Sequence, residues 1–134
     1  MTRAASAHAA VTLDASALLA LLNDETGAAA VAAVMDDAVI SSVNLAEVIG
    51  KLRGAGMPAA ACREAIETLA LHVVPFTETL AYLAAELEAE TRKLGLSPGD
   101  RACLATARHL GYAALTADRQ WSKLKTDISI IAIR

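Results

Sequence analysis

Short apolar runs, each only four to six residues long and the first four each followed by a helix-compatible stretch, recur along the chain at 10–13, 38–41, 71–74, 112–115 and 128–133. A strand that is apolar on both faces must be covered on both faces. Strands separated by amphipathic helices pair in parallel, since each crossover returns the chain to the same end of the sheet. The pattern therefore predicts an α/β fold: a three-layer α/β/α sandwich around a central parallel sheet of about five short strands. At 134 residues and 55% hydrophobic, the chain is expected to form a single domain spanning 1–134.

The helices have their own punctuation. Asp14 or Ser16 is placed to cap a helix over 17–22, and a second helix is expected over about 26–36. A third follows the strand at 38–41 and breaks at Gly54 and Gly56, and a fourth opens at Pro58 and reaches about Leu71. Leu80, Leu83, Leu87, Thr91 and Leu94 share one face of a single continuous helix. Ser97-Pro98-Gly99-Asp100 opens the next, with Ser at the cap, Pro at the first position and an acid three residues after the cap. That helix ends near Gly111, and 118–124 is a short helical or turn segment.

Composition limits the function classes. The only aromatic residues are Phe76, Tyr82, Tyr112 and Trp121, too few for nucleic-acid binding by stacking platforms. A net charge of -3 argues against a protein that binds polyanions over its whole surface, although not against a local basic patch. Cys62 and Cys103 form no paired motif and read as small core residues of a reduced, cytoplasmic protein. No apolar run approaches the roughly 18 residues of a membrane span. The Ala-rich start, 1–9, is expected to be a disordered or extended tip.

Within this frame Asp14, Glu47, Asp100 and Asp118 are out of place: each lies in or beside an apolar stretch, at a strand end or helix start. Each has a structural excuse. Asp14 and Asp118 could cap helices, Asp100 completes a capping box begun by Ser97, and Glu47 stands likewise after Asn44. Such roles are worth about 0.5–2 kcal/mol per cap. In open parallel sheets, however, ligands bind beyond the carboxyl ends of the strands, where the next helices begin. All four acids can converge there. Converging carboxylates repel unless a cation joins them, and hard oxygen donors suit Mg2+ or Mn2+ rather than zinc. His8, His72 and His109 show no metal-ligand spacing.

A cation held by such a set can polarise a phosphodiester and generate hydroxide near neutral pH, which points to hydrolysis of a nucleic-acid backbone. Ser16 and Thr116, each two residues from an acid, could orient a ligand carboxylate, a water or a phosphate. Arg101, Arg119, Lys123 and Lys125 cluster beside two of the acids and could bring a phosphate backbone to the crevice, or form a solvated rim. Trp121 is expected to pack beneath the site. No Gly-rich phosphate loop or nucleophile elbow occurs.

The blocks Val11-Thr-Leu-Asp14-Ala-Ser16, Ile40-Ser-Ser-Val-Asn-Leu-Ala-Glu47-Val, Leu96-Ser-Pro-Gly-Asp100-Arg-Ala-Cys-Leu and Leu115-Thr-Ala-Asp118-Arg-Gln-Trp121 resemble the PIN-domain ribonucleases, and among them the VapC-like toxins of bacterial toxin–antitoxin pairs. The resemblance implies that Asp14, Glu47, Asp100 and Asp118 bind Mg2+, with Mn2+ a possible substitute, that Ser16 and Thr116 support them, and that the activity is endonucleolytic RNA cleavage. It also implies a homodimer, a cognate antitoxin and a larger toxin–antitoxin assembly. Ser122 stands where a further acid would complete a second metal site, so one ion or two remains open. A non-catalytic acidic-pocket module is the alternative; a phospho-receiver would need an acid pair after strand one, and a haloacid-type phosphatase would need a second acid at position 16.

Overall fold

The computed structural model describes residues 10–134; the tip expected at 1–9 lies outside them. Five strands, β1 (Val11–Leu13), β2 (Ala38–Ser41), β3 (His72–Val74), β4 (Ala113–Thr116) and β5 (Ile130–Ala132), form one sheet in the order β3-β2-β1-β4-β5. Every pairing is parallel, with Leu13 opposite Ile40 on one side and Leu115 on the other. The chain builds outward from β1 to β2 and β3, then returns to lay β4 and β5 along the opposite edge of β1. That reversal opens a crevice at the carboxyl ends of β1 and β4.

Among the described residues, seven helices cover the two faces: α1 (Ala15–Leu22), α2 (Ala28–Val34), α3 (Ser42–Gly54), α4 (Ala59–Thr68), α5 (Glu78–Glu86), α6 (Glu88–Arg92) and α7 (Pro98–Leu110). Alternating strand residues divide the core in two. Val11, Leu13, Ala38, Ile40 and Leu115 join Leu18, Val31, Val48 and Leu52 on one face, while Ala114 joins Leu87, Cys103, Leu104 and Trp121 on the other. The sandwich is thus three-layered, as the strand pattern predicts. Alanines at 17, 20, 102, 105 and 107 are almost fully buried, which is how a core with few aromatic rings closes. Among the described residues no helix is long and apolar enough to cross a membrane.

Three local expectations are corrected. The helix expected to run through Leu80 and Leu94 breaks into α5 and α6 at Leu87, whose N–H reaches back only three residues to the Ala84 carbonyl. Leu87 and Thr91 stay on one face and fully buried across the break, and the Thr91 hydroxyl donates to the Leu87 carbonyl at 2.8 Å. The helix expected over 26–36 begins only at Ala28 and gives way to a single 3-10 turn at Met35–Asp37. Asn44 is not a helix cap: α3 starts at Ser42, and the Ser41 hydroxyl accepts from Val43 N–H instead.

The segment after β5 is tied back over the crevice. Ile133 N–H donates to the Thr116 carbonyl at 2.9 Å, and Ile133 packs on Gly27, whose φ of +100° is a left-handed conformation. A Cβ at Gly27 would fall 2.8 Å from the Ile133 carbonyl oxygen. Gly27→Ala is therefore expected to destabilise the protein by about 1–3 kcal/mol, measured by chemical denaturation, through backbone strain and loss of this contact. An unchanged midpoint would show that the 133–134 segment is not held here.

Candidate active site

Asp14 is placed by the centre of the sheet. Its N–H donates to the Leu115 carbonyl at 3.1 Å, extending the β1–β4 ladder by one residue, and its side chain then caps α1 by accepting from Ala17 N–H at 2.8 Å. The carboxylate is only 4% exposed, so its remaining lone pairs need donors. Ser16 and Thr116 supply them. The Ser16 hydroxyl lies 2.7 and 2.9 Å from the two Asp14 oxygens, and the Thr116 hydroxyl donates to Oδ2 at 2.5 Å.

Each hydroxyl is itself oriented from behind: Ser16 Oγ accepts from Ala117 N–H at 2.9 Å and Thr116 Oγ1 from Asp118 N–H at 3.0 Å. A hydroxyl has one proton to give. Both protons go to Asp14, so the 3.4 Å approach between Ser16 and Thr116 is proximity rather than a bond. These two residues hold the acid itself, and Ser16 also lines the cleft.

The other three acids arrive from separate elements. Glu47 projects from α3, and Asn44, one turn before it and 1% exposed, donates from its amide to Glu47 Oε1 at 2.8 Å and to the Gly99 carbonyl at 2.9 Å. Asn44 thereby ties α3 to the start of α7. Gly99 leaves space for the carboxylate, since a Cβ there would overlap both Glu47 oxygens and fall 2.7 Å from its Cδ. Asp100 completes the capping box read from the sequence, accepting from Ser97 N–H at 2.9 Å while Ser97 accepts from Asp100 N–H at 3.1 Å. Asp118 caps the 3-10 turn at Arg119–Lys123 through Gln120 N–H at 2.9 Å.

Asp14, Glu47, Asp100 and Asp118 all line one cleft of about 460 Å³. They do so while serving as caps or being held by Asn44, so capping and convergence coexist. Among the described residues no group of three or more His, Cys, Asp or Glu side chains is already gathered as a metal cage. The donor chemistry nevertheless fits a hard divalent cation: four carboxylates from four elements face one solvent-filled cleft, and the hydrogen bonds to Asp100 and Asp118 each engage only one oxygen.

Electrostatics follow burial. Desolvation pushes the Asp14 carboxyl up from its ordinary 3.8 to about 6, against the opposing hydrogen bonds from Thr116, Ala17 and Ser16, with the nearby Asp100 charge adding to the rise. Cys103 lies fully buried beneath the acids, and burial together with the charges of Asp14, Asp100 and Glu47 pushes its thiol well above the ordinary range. It is an inert core residue, as expected. Trp121 is also fully buried and packs with α5 and α7.

None of the basic residues read from the sequence, Arg101, Arg119, Lys123 and Lys125, is in the lining of the cleft itself. The cations lining the cleft are Lys51 and Arg134. Arg101 turns back to the Leu96 carbonyl at 3.0 Å, and Arg119 lines a neighbouring hollow, while Lys123 and Lys125 are exposed. Lys51 was legible as the i+4 neighbour of Glu47 on one helix face. Arg134 carried no such signal, because only the register of β5 brings it here. Asn44 and Gly99 were visible only as a helix-cap candidate and as part of a helix opening.

Raising an acid's pKa on folding makes its ionisation costly. In chelator, the protein is expected to lose stability as pH rises from 3.8 through about 6, by at most about 3 kcal/mol. Asp14→Asn should flatten that part of the thermal-unfolding profile. An identical pH profile in the variant would show that Asp14 does not carry the penalty.

Against this geometry the family comparison is direct: the model of the PIN domain matches residues 11–126, a span holding all four acids and both hydroxyls. No curated protein matches the chain. Among solved structures, the fold is similar to a toxin–antitoxin complex from Klebsiella pneumoniae, at TM-score 0.72 and 15% identity, covering 93% of this chain and 98% of that one. It is also similar to VapBC2 from Rickettsia felis bound to a fragment of its promoter DNA, at TM-score 0.71 and 14% identity over 91% and 97% of the two chains. VapC20 of Mycobacterium tuberculosis, described as a sarcin–ricin-loop cleaving toxin, aligns at TM-score 0.69 and 21% identity over 85% and 94%. With most of its length matched by that family model and its sheet order carrying the acids to one crevice, the chain belongs to the PIN domain family.

Proposed function

We propose that this protein is a metal-dependent endoribonuclease toxin of a toxin–antitoxin pair. The observation that carries the reading is the buried Asp14 carboxylate, fixed by Ser16 and Thr116 at the base of a cleft that Glu47, Asp100 and Asp118 also line. A cap alone could sit at the surface in water; here the fold buries the acid and supplies two hydroxyls to hold it facing the cleft. The four acids would hold Mg2+, or Mn2+ in its place, and the ion would supply a polarised phosphoryl oxygen and an activated water.

The chain's own part is positioning. Ser16 and Thr116 fix the direction of Asp14, the Asn44 amide fixes Glu47, and Gly99 lets the start of α7 approach closely enough for Asp100 to face the same space. Neutralising this much converging negative charge is what binding of a cation would accomplish, and it would favour the ionised form of Asp14 at neutral pH. Specificity for a particular RNA would lie in the shape of the groove around the cleft and in the fold of the substrate.

The structural relatives include toxin–antitoxin complexes, and three of the structures are bound to DNA, which supports a cognate antitoxin as partner; a homodimer within a larger assembly in the bacterial cytoplasm completes the proposal. One observation favours a non-catalytic acidic-pocket module instead: among the described residues the acids are not already gathered as a cage. The two readings separate in one assay. Purified protein with Mg2+ should cleave single-stranded RNA, and Asp14→Asn or Asp100→Asn should reduce cleavage by more than the roughly 10–100-fold typical of outer-shell partners, without loss of fold by circular dichroism. Ser16→Ala and Thr116→Val should fall within that roughly 10–100-fold range. Cleavage undiminished in Asp14→Asn would sink the assignment.

A further inference from the structure

We propose that Arg134 is a phosphate-binding residue, and that it joins the acidic cleft to an adjoining hollow that receives the next stretch of a single-stranded RNA backbone. The inference rests on the nuclease reading above. Two open spaces meet at this side chain: the acid-lined cleft, and a hollow of about 690 Å³ that includes Ala117 and Arg119 in its lining. Glu25 and Arg134 line both, so the two spaces adjoin at this ion pair, beside the cleft that Asp14 and Asp118 line.

The guanidinium is anchored through one nitrogen. Nη1 donates to Glu25 Oε1 at 3.1 Å and to the Thr26 carbonyl at 3.0 Å. Among the described residues no hydrogen bond uses its Nε or Nη2. Those two N–H groups form the parallel fork that matches two oxygens of a phosphate. The backbone beneath is fixed as well: the Arg134 carbonyl accepts from Arg119 Nε at 2.9 Å, and Ile133 is pinned to Thr116 and Gly27.

Arg134 therefore presents an oriented donor pair beside a cleft whose other charges are mainly negative. It offers a polyanion an attractive contact at the place where the acids repel it. The Glu25 pair is partly exposed, with side chains 34% and 40% accessible, so it orients the guanidinium without neutralising it in a dry site. Arg119, read from the sequence as an RNA contact, enters here as the residue that steadies the Arg134 backbone and lines the second hollow.

The test is equilibrium binding of a fluorescein-labelled random-sequence RNA of about 12 nucleotides, within the range one binding groove spans, to the full chain by anisotropy across a salt series, with cleavage blocked by Asp14→Asn. Adding Arg134→Ala should weaken binding at least tenfold and lower the slope of log affinity against log salt by about 0.7, the loss of one phosphate contact on a single strand. Arg134→Lys, which keeps the charge and loses the fork, should recover only part of the affinity. Arg63→Ala on the exposed surface of α4 should change neither quantity. Equal affinity and slope with and without Arg134 would overturn the proposal whatever the cleavage assay shows. Binding that depends on Arg134, joined to absence of cleavage by the protein with Asp14 intact, would uphold the phosphate contact and sink the nuclease reading.

Discussion

A carboxylate buried where two parallel strands end is the constraint on which the rest of this molecule turns. Asp14 cannot sit at 4% exposure without donors, and the fold provides them from both sides of the seam. Ala17 and Ser16 come from the helix that follows β1, and Thr116 comes from the last position of β4. The same hydroxyls accept from Ala117 and Asp118, so the turn after β4 is set by the group that it serves. Moving β4 by one register step would turn Thr116 to the other face and leave Asp14 without its shortest hydrogen bond.

The remaining acids depend on that seam in a graded way. Glu47 and Asp100 are held to each other's helices by Asn44 and by the missing Cβ of Gly99, while Asp118 follows β4 directly. Helix capping and ligand convergence are compatible because both draw on the same physics: a helix N-terminus favours a negative charge, and in this topology those N-termini after the strands face one crevice. Each cap also aims its acid. At Asp14 desolvation outweighs these hydrogen bonds, and the raised pKa marks where the protein's own dipoles no longer compensate the charge.

Much of this was legible in the sequence. Apolar runs flanked by caps located five strands and their parallel pairing, since a strand apolar on both faces has few other homes. The four acids stood out because acids are rare at such positions. What escaped was what only tertiary register decides. Asn44 sits three residues before Glu47 and looks like a cap, yet α3 has already begun at Ser42 and the Asn44 amide reaches across to Gly99. The stripe from Leu80 to Leu94 has helical spacing throughout, and that spacing does not reveal the three-residue backbone bond from Leu87 to Ala84 that divides it into two helices. Arg134 is remote in sequence from Asp14, Glu47 and Asp100, and only β5 lying beside β4 brings it to the cleft.

The central claim is that one cation site, rather than four independent caps, unites these acids, and titration of the purified protein with Mn2+ by calorimetry tests it most directly. A saturable site that weakens at least tenfold on changing Asp14, Glu47, Asp100 or Asp118 singly to the amide is the predicted result. Mn2+ binding that is absent from the unaltered protein, or that survives Asp14→Asn unchanged, would contradict it.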